Sequence, residues 1–470
     1  MLCRTCFLLA IMMTFAGCSL APSYHQPEAP VPATWPKGPA YQETGGQPQT
    51  MAAVDIAWQT FYIDPQLRQV ITLALENNRD LRAALLRIER ARAQYRIQRS
   101  DLFPKLDAVG AGSIQRQPAD LSGSGRADTV HRYDVDLGVS AWELDLFGRI
   151  RSLKEQALEQ YLATEQARRS IQVALVSDTA IRYLILAADR ERLQLARETL
   201  VNQQAVYRLV KSRFEAGIAN ALDLNQARTS VDAARVDIAR YTTFVAQDQN
   251  ALDLLAGTSV ADNLLPETLG APDATLQEVG PGLSSQVLLR RPDILDAEHR
   301  LKGANANIGA ARAAFFPSIS LTSAAGTASR ALSGLFTGGS FAWAFAPRIT
   351  LPIFNAGENR ARLQVAKVDR DIAVATYEKT IQTAFREVAD ALARRGTIDE
   401  QQAAQQSLTD ANAESYRLSQ VRYEKGVDSY LNVLDSQRSL YDAQQALISV
   451  HLDRLTNLVT LYRVLGGGSE

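Results

Sequence analysis

The chain has 470 residues, room for two or three ordinary domains or one large repeated one, and carries 50 Lys and Arg against 51 Asp and Glu. So balanced a charge, with no basic tract, gives no field for a phosphate backbone and excludes nucleic acid as a partner.

The N-terminus reads as an export signal. Arg4 precedes an apolar run from Phe7 to Phe15, followed by the small residues Ala16 and Gly17 and then Cys18. The run is too short to remain as a membrane-spanning helix, so residues 1–17 are expected to be removed. Phe15-Ala16-Gly17-Cys18 resembles the bacterial lipobox, with Phe where Leu is usual. That resemblance implies a lipid on Cys18, and Ser19 resembles an outer-membrane sorting signal. The alternative is an ordinary signal peptide with a chance cysteine. Cys3 and Cys6 leave with the signal, so no disulfide or thiolate metal site remains.

Residues 18–62 form an extended segment, rich in Pro and Gly from Ala21 to Gln49. A first repeat is expected over 63–256. Asp64-Pro65 starts a helix, with Asp as N-cap and Pro at the first position, and that helix should run to about Leu102. A β-hairpin follows at about 104–142. Its second strand alternates Tyr133, Val135, Leu137, Val139 and Ala141 on one face with Asp134, Asp136, Gly138 and Ser140 on the other. Ile150 to Ala216 contains neither Gly nor Pro, a helix of roughly 100 Å at 1.5 Å per residue. A turn at about 217–221 leads to a return helix.

A Pro/Gly-punctuated connector, 257–283, precedes a second repeat over 284–465. Its hairpin spans about 317–353, with Phe341, Trp343, Phe345, Ile349, Leu351 and Ile353 on one face. A long helix runs from Glu358 to Lys425, interrupted only by Gly396, where a bend is expected. A turn at about 426–430, a return helix and a glycine-rich tail, 466–470, complete the chain. Apolar residues recur every seven along the helices: Leu186, Leu193, Leu200, Tyr207 and Phe214, then Leu224 to Leu252, then Leu434 to Tyr462. That period marks coiled-coil packing.

The two turns are copies of one another. Arg208 and Arg417, Arg213 and Arg422, Gly217 and Gly426, and Leu222 and Leu431 all pair at a spacing of 209 residues. Two structurally equivalent halves follow. Each glycine closes a long helix where the chain reverses, a position that favours left-handed backbone.

The strands are long enough to cross a bilayer when tilted, although a half-buried sheet in a soluble domain has the same pattern. Four strands cannot close a barrel, and an open edge cannot exist in lipid. A membrane reading therefore requires several chains to pool their strands. His25, His131, His299 and His451 show no ligand spacing, and His299 reads as a structural helix residue. No nucleophile elbow, P-loop or dinucleotide fingerprint is present. No enzyme activity is expected.

Several stretches resemble one family. They are Asn77-Asn78-Arg79-Asp80-Leu81-Arg82, Trp142-Glu143-Leu144-Asp145-Leu146-Phe147-Gly148 and Arg290-Arg291-Pro292-Asp293-Ile294. With them go Ala304 to Arg312, Phe315-Phe316-Pro317-Ser318 and Leu351-Pro352-Ile353-Phe354. Over nearly the whole chain this resembles the outer-membrane factors of tripartite efflux pumps, the TolC-like family, in its lipidated OprM-type branch.

The resemblance implies a mainly α fold with a β-barrel part. A homotrimer would build an α-barrel of long coiled-coil helices and a twelve-stranded transmembrane β-barrel, four strands per chain. It also implies a passive exit duct for drugs, anchored in the outer membrane and reaching into the periplasm. Its partners would be a periplasmic adaptor, an inner-membrane transporter of the resistance–nodulation–division type, and outer-membrane lipid. No cofactor is implied beyond the covalent lipid on Cys18. By the same resemblance Leu431 matches the apolar constriction of a periplasmic gate and Asp435 the acidic ring beside it. Arg422 and Tyr423 match its polar links, with Asp223 as a partner, and the tips at Gly217 and Gly426 match the adaptor-docking surface. The plainer reading makes Asp435 and Arg422 ordinary exposed helix charges. A protein or peptide secretion duct of the same architecture, or a non-conducting envelope lipoprotein, also fits the sequence.

Overall fold

The computed structural model describes residues 19–41, 53–271, 275–279 and 284–468. The expected signal segment, Cys18 and parts of the connector lie outside the described residues. The long elements are helices α1 (Pro65–Asn77), α2 (Arg79–Ser100), α3 (Arg149–Glu215), α4 (Ala221–Ala256), α5 (Pro292–Ala313), α6 (Glu358–Glu424) and α7 (Tyr430–Val464). Strands β1 (Leu106–Gln117) and β2 (Asp128–Leu144) form one hairpin, β3 (Ser318–Ser329) and β4 (Phe341–Thr350) the other. The chain divides into two compact units.

The first unit comprises the chain up to Glu28, Arg87–Thr164 and Asp296–Tyr377. It holds one antiparallel sheet in the order β1-β2-β3-β4. The register aligns Leu106 with Val139, Val139 with Ser323, and Ser323 with Phe345. Side chains alternate along each strand, so this register collects Leu106, Leu137, Val135, Trp343, Phe341 and Ile349 on one face. The opposite face carries Asp107, Asp134, Asp136 and Arg348 among small residues such as Gly138, Gly326 and Ala344. β1 and β4 are the sheet's edges; β4 and all of β1 but its last residue are exposed.

The simple alternation expected through Ala141 does not hold. β2 carries one extra residue between Val139 and Trp142 relative to β3. Ala141 takes φ 50° there, and its N–H donates to Thr322 Oγ1 at 3.1 Å. Such a bulge bends the strand and returns Trp142, not Ala141, to the apolar face.

In the same unit the extended N-terminal segment lies along α5. Arg312 donates to the Leu20 carbonyl at 3.0 Å and Asn305 Nδ2 to that of Pro22 at 2.8 Å. The Tyr24 hydroxyl donates to Glu298 at 3.2 Å. Much of the Ala304 to Arg312 stretch is thus a receptor for the chain's own start. His299, a residue of α5, sits 2.6 Å from Glu159 of α3.

The second unit comprises Ala29–Leu86, Glu165–Leu295 and Glu378–Glu470. The single helix expected from Asp64 to Leu102 is two helices. Asp64 caps α1 through the Gln66 N–H at 2.8 Å, but Asn78 leaves the helix with φ −62° and ψ 131°. Its Oδ1 accepts from the N–H groups of Asp80 and Leu81 at 2.9 and 3.0 Å, capping α2. Its Nδ2 donates to the Leu255 carbonyl at the end of α4. One buried amide therefore serves two helix ends, while the Asn78 backbone N–H closes a third by donating to the Ala74 carbonyl, and apolar periodicity registers none of this.

The seven-residue pattern is only partly buried within one chain: Phe214 is exposed and Leu200, Tyr207 and Leu224 are half-buried. Leu186, Leu252, Leu455 and Tyr462 have essentially no exposed surface. α6 continues through Gly396 without a break. Beyond α7, Gly466 is buried against Arg291 and Val54, and Gly467 and Gly468 against the Tyr462 ring. That ring stacks on Phe61 at 3.9 Å, and its hydroxyl donates to the Ile56 carbonyl at 2.6 Å.

Candidate functional site: the two helical turns

Both turns close by the same hydrogen-bond pattern. At the end of α3, Gly217 has φ 72°; its N–H reaches the Phe214 carbonyl and the Ile218 N–H reaches that of Arg213, at 2.9 and 2.8 Å. At the end of α6, Gly426 has φ 73°, with bonds to Tyr423 and from Val427 to Arg422 at 3.0 and 2.9 Å. This is the paired C-terminal cap that a left-handed glycine permits. A Cβ at either glycine would meet nothing within 4 Å, so backbone conformation, not space, demands glycine here.

The turns pack together through one cluster. Val210 of α3, Ala227 of α4, and Tyr430, Val433 and Leu434 of α7 are buried, with Tyr207, Leu224, Tyr416 and Tyr423 against them. Arg213 lies over the Tyr423 ring, 4.7 Å from its centroid, and Tyr423 packs on Tyr430 with centroids 5.6 Å apart. The two repeats therefore share a core at this end, to which the second contributes Tyr416, Tyr423 and Tyr430 and the first Tyr207.

Of the gate residues taken from the resemblance, Tyr423 belongs to this core. Arg422 is exposed and bonds Asp428 within its own turn, Nε to Oδ2 at 2.5 Å, which holds that carboxyl below the usual range. Asp223 accepts no bond from Arg422; its backbone N–H is capped by Asn220 at 2.9 Å. Leu431 is 48% exposed. Asp435 is also exposed, and among the described residues no basic side chain pairs with it. The geometry within one chain thus leaves the apolar residue and the acid facing outward from the cluster. The next copies of the apolar positions behave alike: Ile218 and Leu222 in the first turn and Val427 in the second are exposed.

Reasoning from sequence missed Asp428 and Tyr430, and paired Arg213 with Arg422 across the repeat without giving it a role. The repeat itself held the signal for the two that were missed. At the 209-residue spacing Asp428 stands opposite Ala219 and Tyr430 opposite Ala221, so these are the places where the second turn departs from the first.

Known proteins share this architecture. The chain matches the family described as "Outer membrane efflux protein" over residues 70–258 and 283–467. The toluene efflux pump outer membrane protein TtgC of Pseudomonas putida is 54% identical over 465 residues, covering 98% of this chain and 95% of the relative. The antibiotic efflux pump outer membrane protein ArpC, also of Pseudomonas putida, has the same identity and coverage. The open state of the Neisseria gonorrhoeae MtrE outer membrane channel superposes with a TM-score of 0.86 at 39% identity, covering 96% of this chain and 99% of that one. With both repeats matched and both turns in place, the chain belongs to the outer membrane efflux protein family.

Proposed function

We propose that the protein is the outer-membrane exit duct of a tripartite efflux system, conducting small molecules passively from an inner-membrane transporter through a periplasmic adaptor to the exterior. The observation that carries this reading is the sheet: one face apolar and aromatic, the other polar and small, and both edge strands unpaired. Lipid tolerates no open edge, so β4 of one copy must pair with β1 of the next. Three copies give a twelve-stranded barrel whose polar faces line a water-filled lumen. Each copy would be anchored by a lipid on Cys18 as well as by its strands.

In this reading the paired turns form the periplasmic gate. Three symmetry-related Leu431 side chains would form an apolar constriction, and three Asp435 carboxylates an acidic ring beside it. Tyr423, Arg422 and Asp223 would hold neighbouring helices. The tips at Gly217 and Gly426, with exposed Ile218 and Val427 next to them, would receive the adaptor. The transporter would be of the resistance–nodulation–division type. Relatives named for toluene and antibiotic efflux support aromatic solvents and antibiotics as cargo.

Deleting the gene and profiling susceptibility tests the assignment. Sensitivity to antibiotics and organic solvents should rise and be restored by the intact chain. Unchanged sensitivity together with loss of a secreted protein would reassign it to secretion. Mass spectrometry of the mature N-terminus tests the lipid on Cys18.

A further inference from the structure

The start of α7 is under-satisfied in a way the start of α4 is not. Asn220 caps α4 through its side chain, whereas Ser429, in the same place before α7, makes no side-chain cap bond. One residue on, Tyr430 is 2% exposed, and its hydroxyl is buried with no hydrogen-bond partner among the described residues. The groups packed around it do not help. Val210, Ala227, Val433 and Leu434 are apolar, and the nearby Tyr416 hydroxyl accepts from Gln420 at 2.8 Å. Tyr423, Tyr416, Arg438 and Asp223 act on the Tyr430 hydroxyl only through space; with burial as the main cause, its pKa is raised to about 12.

A buried hydroxyl left without a partner bears its full desolvation cost. Any motion that swings the start of α7 away from α3 and α4 lets water reach it and recovers that cost. The first repeat has Ala221 at the same place, so the strain belongs to the second turn alone. We propose that Tyr430 is a built-in bias toward separation of the two turns, keeping the packed end of α7 poised to release. The proposal rests on the reading of the turns as the gate for its functional consequence, but not for its physical one.

The test is amide hydrogen exchange of the full-length protein, read at the residues 434–437 of α7. Tyr430→Phe removes only the orphan hydroxyl and should slow exchange there by roughly five- to hundredfold. Tyr416→Phe removes a hydroxyl that is bonded and should speed it. Exchange unchanged or faster in Tyr430→Phe overturns the proposal, as does slowing by both variants alike. Single-channel recording then addresses the gate separately. With exchange slowed, a lower open probability in Tyr430→Phe extends the bias to gating. An unaltered open probability leaves the bias in place and counts against the turns as the gate.

Discussion

The guanidinium of Arg213 lies 4.7 Å from the centroid of the Tyr423 ring, tying the end of α3 to the end of α6. Its repeat counterpart, Arg422, is held by Asp428 instead, where the first turn has Ala219. Both partners of the stacked pair are partly solvated, so the contact is worth about 0.5–1 kcal/mol. Arg213→Gln and Tyr423→Leu should each raise the open probability of the reconstituted channel. The double variant should fall short of the sum by a coupling of about that size. Strictly additive effects would show that the stacking carries nothing.

Asp435 and Asp223 occupy different places in the two turns and should not be interchangeable. Asp435→Asn removes an exposed acid beside Leu431, and Asp223→Asn acts on the first turn, which in the proposed gate would restrain the second. Conductance in planar bilayers should increase more for Asp435→Asn. Equal gains would refute a constriction carried by the second repeat.

A pH dependence is expected from the helical region. Asp248 of α4 is buried, and burial first, then the Asp189 carboxylate beside it, push its carboxyl above the usual range, opposed by Arg182 at 3.2 Å. At a pH between the ordinary and the raised value, the folded protein therefore holds a proton that the unfolded chain has released. Stability should rise as pH falls through the raised value towards the ordinary carboxylate range, where the gain is complete. Asp248→Asn should be the more stable form at neutral pH and lose this dependence. Thermal unfolding from pH 7.5 to 5 checks both signs.

Gly257 and Gly217 share a left-handed backbone but not their surroundings. A Cβ at Gly257 would lie 2.4 Å from the Asn77 carbonyl oxygen, while one at Gly217 meets nothing. Gly217→Ala should cost about 1 kcal/mol from backbone strain alone. Gly257→Ala should add about 1–3 kcal/mol of overpacking and separate α4 from the α1–α2 junction. A thermal midpoint lowered clearly further by Gly257→Ala is the expected result.

Much of the fold is legible in the sequence because its helices are long. The uninterrupted stretch from Ile150 to Ala216 and the seven-residue repeat of Leu186 and Leu193 leave little alternative to α3. The hairpins are legible from alternation, but the bulge at Ala141 is not, since it is set by pairing with β3 some 180 residues away. Asn78 escaped for a related reason. Apolar spacing continues across it, and only the tertiary contact with Leu255 reveals a break. At the turns the repeat located Gly217, Gly426 and Leu431. The side chains that join the two copies, Arg213 and Tyr430, follow from packing between segments 209 residues apart.

The unpaired strands β1 and β4 carry a consequence for biogenesis. A newly exported chain presents two bare strand edges and an aromatic sheet face to an aqueous compartment, which is the surface that templates misassembly. The duct is therefore most vulnerable before it exists. Folding of the sheet, meeting of the copies and entry into the bilayer have to be nearly simultaneous events, and an orphan copy is a substrate for chaperones or proteases. Dominant loss of function from a copy with a damaged edge, poisoning its intact neighbours, is the genetic signature of such an obligate ring.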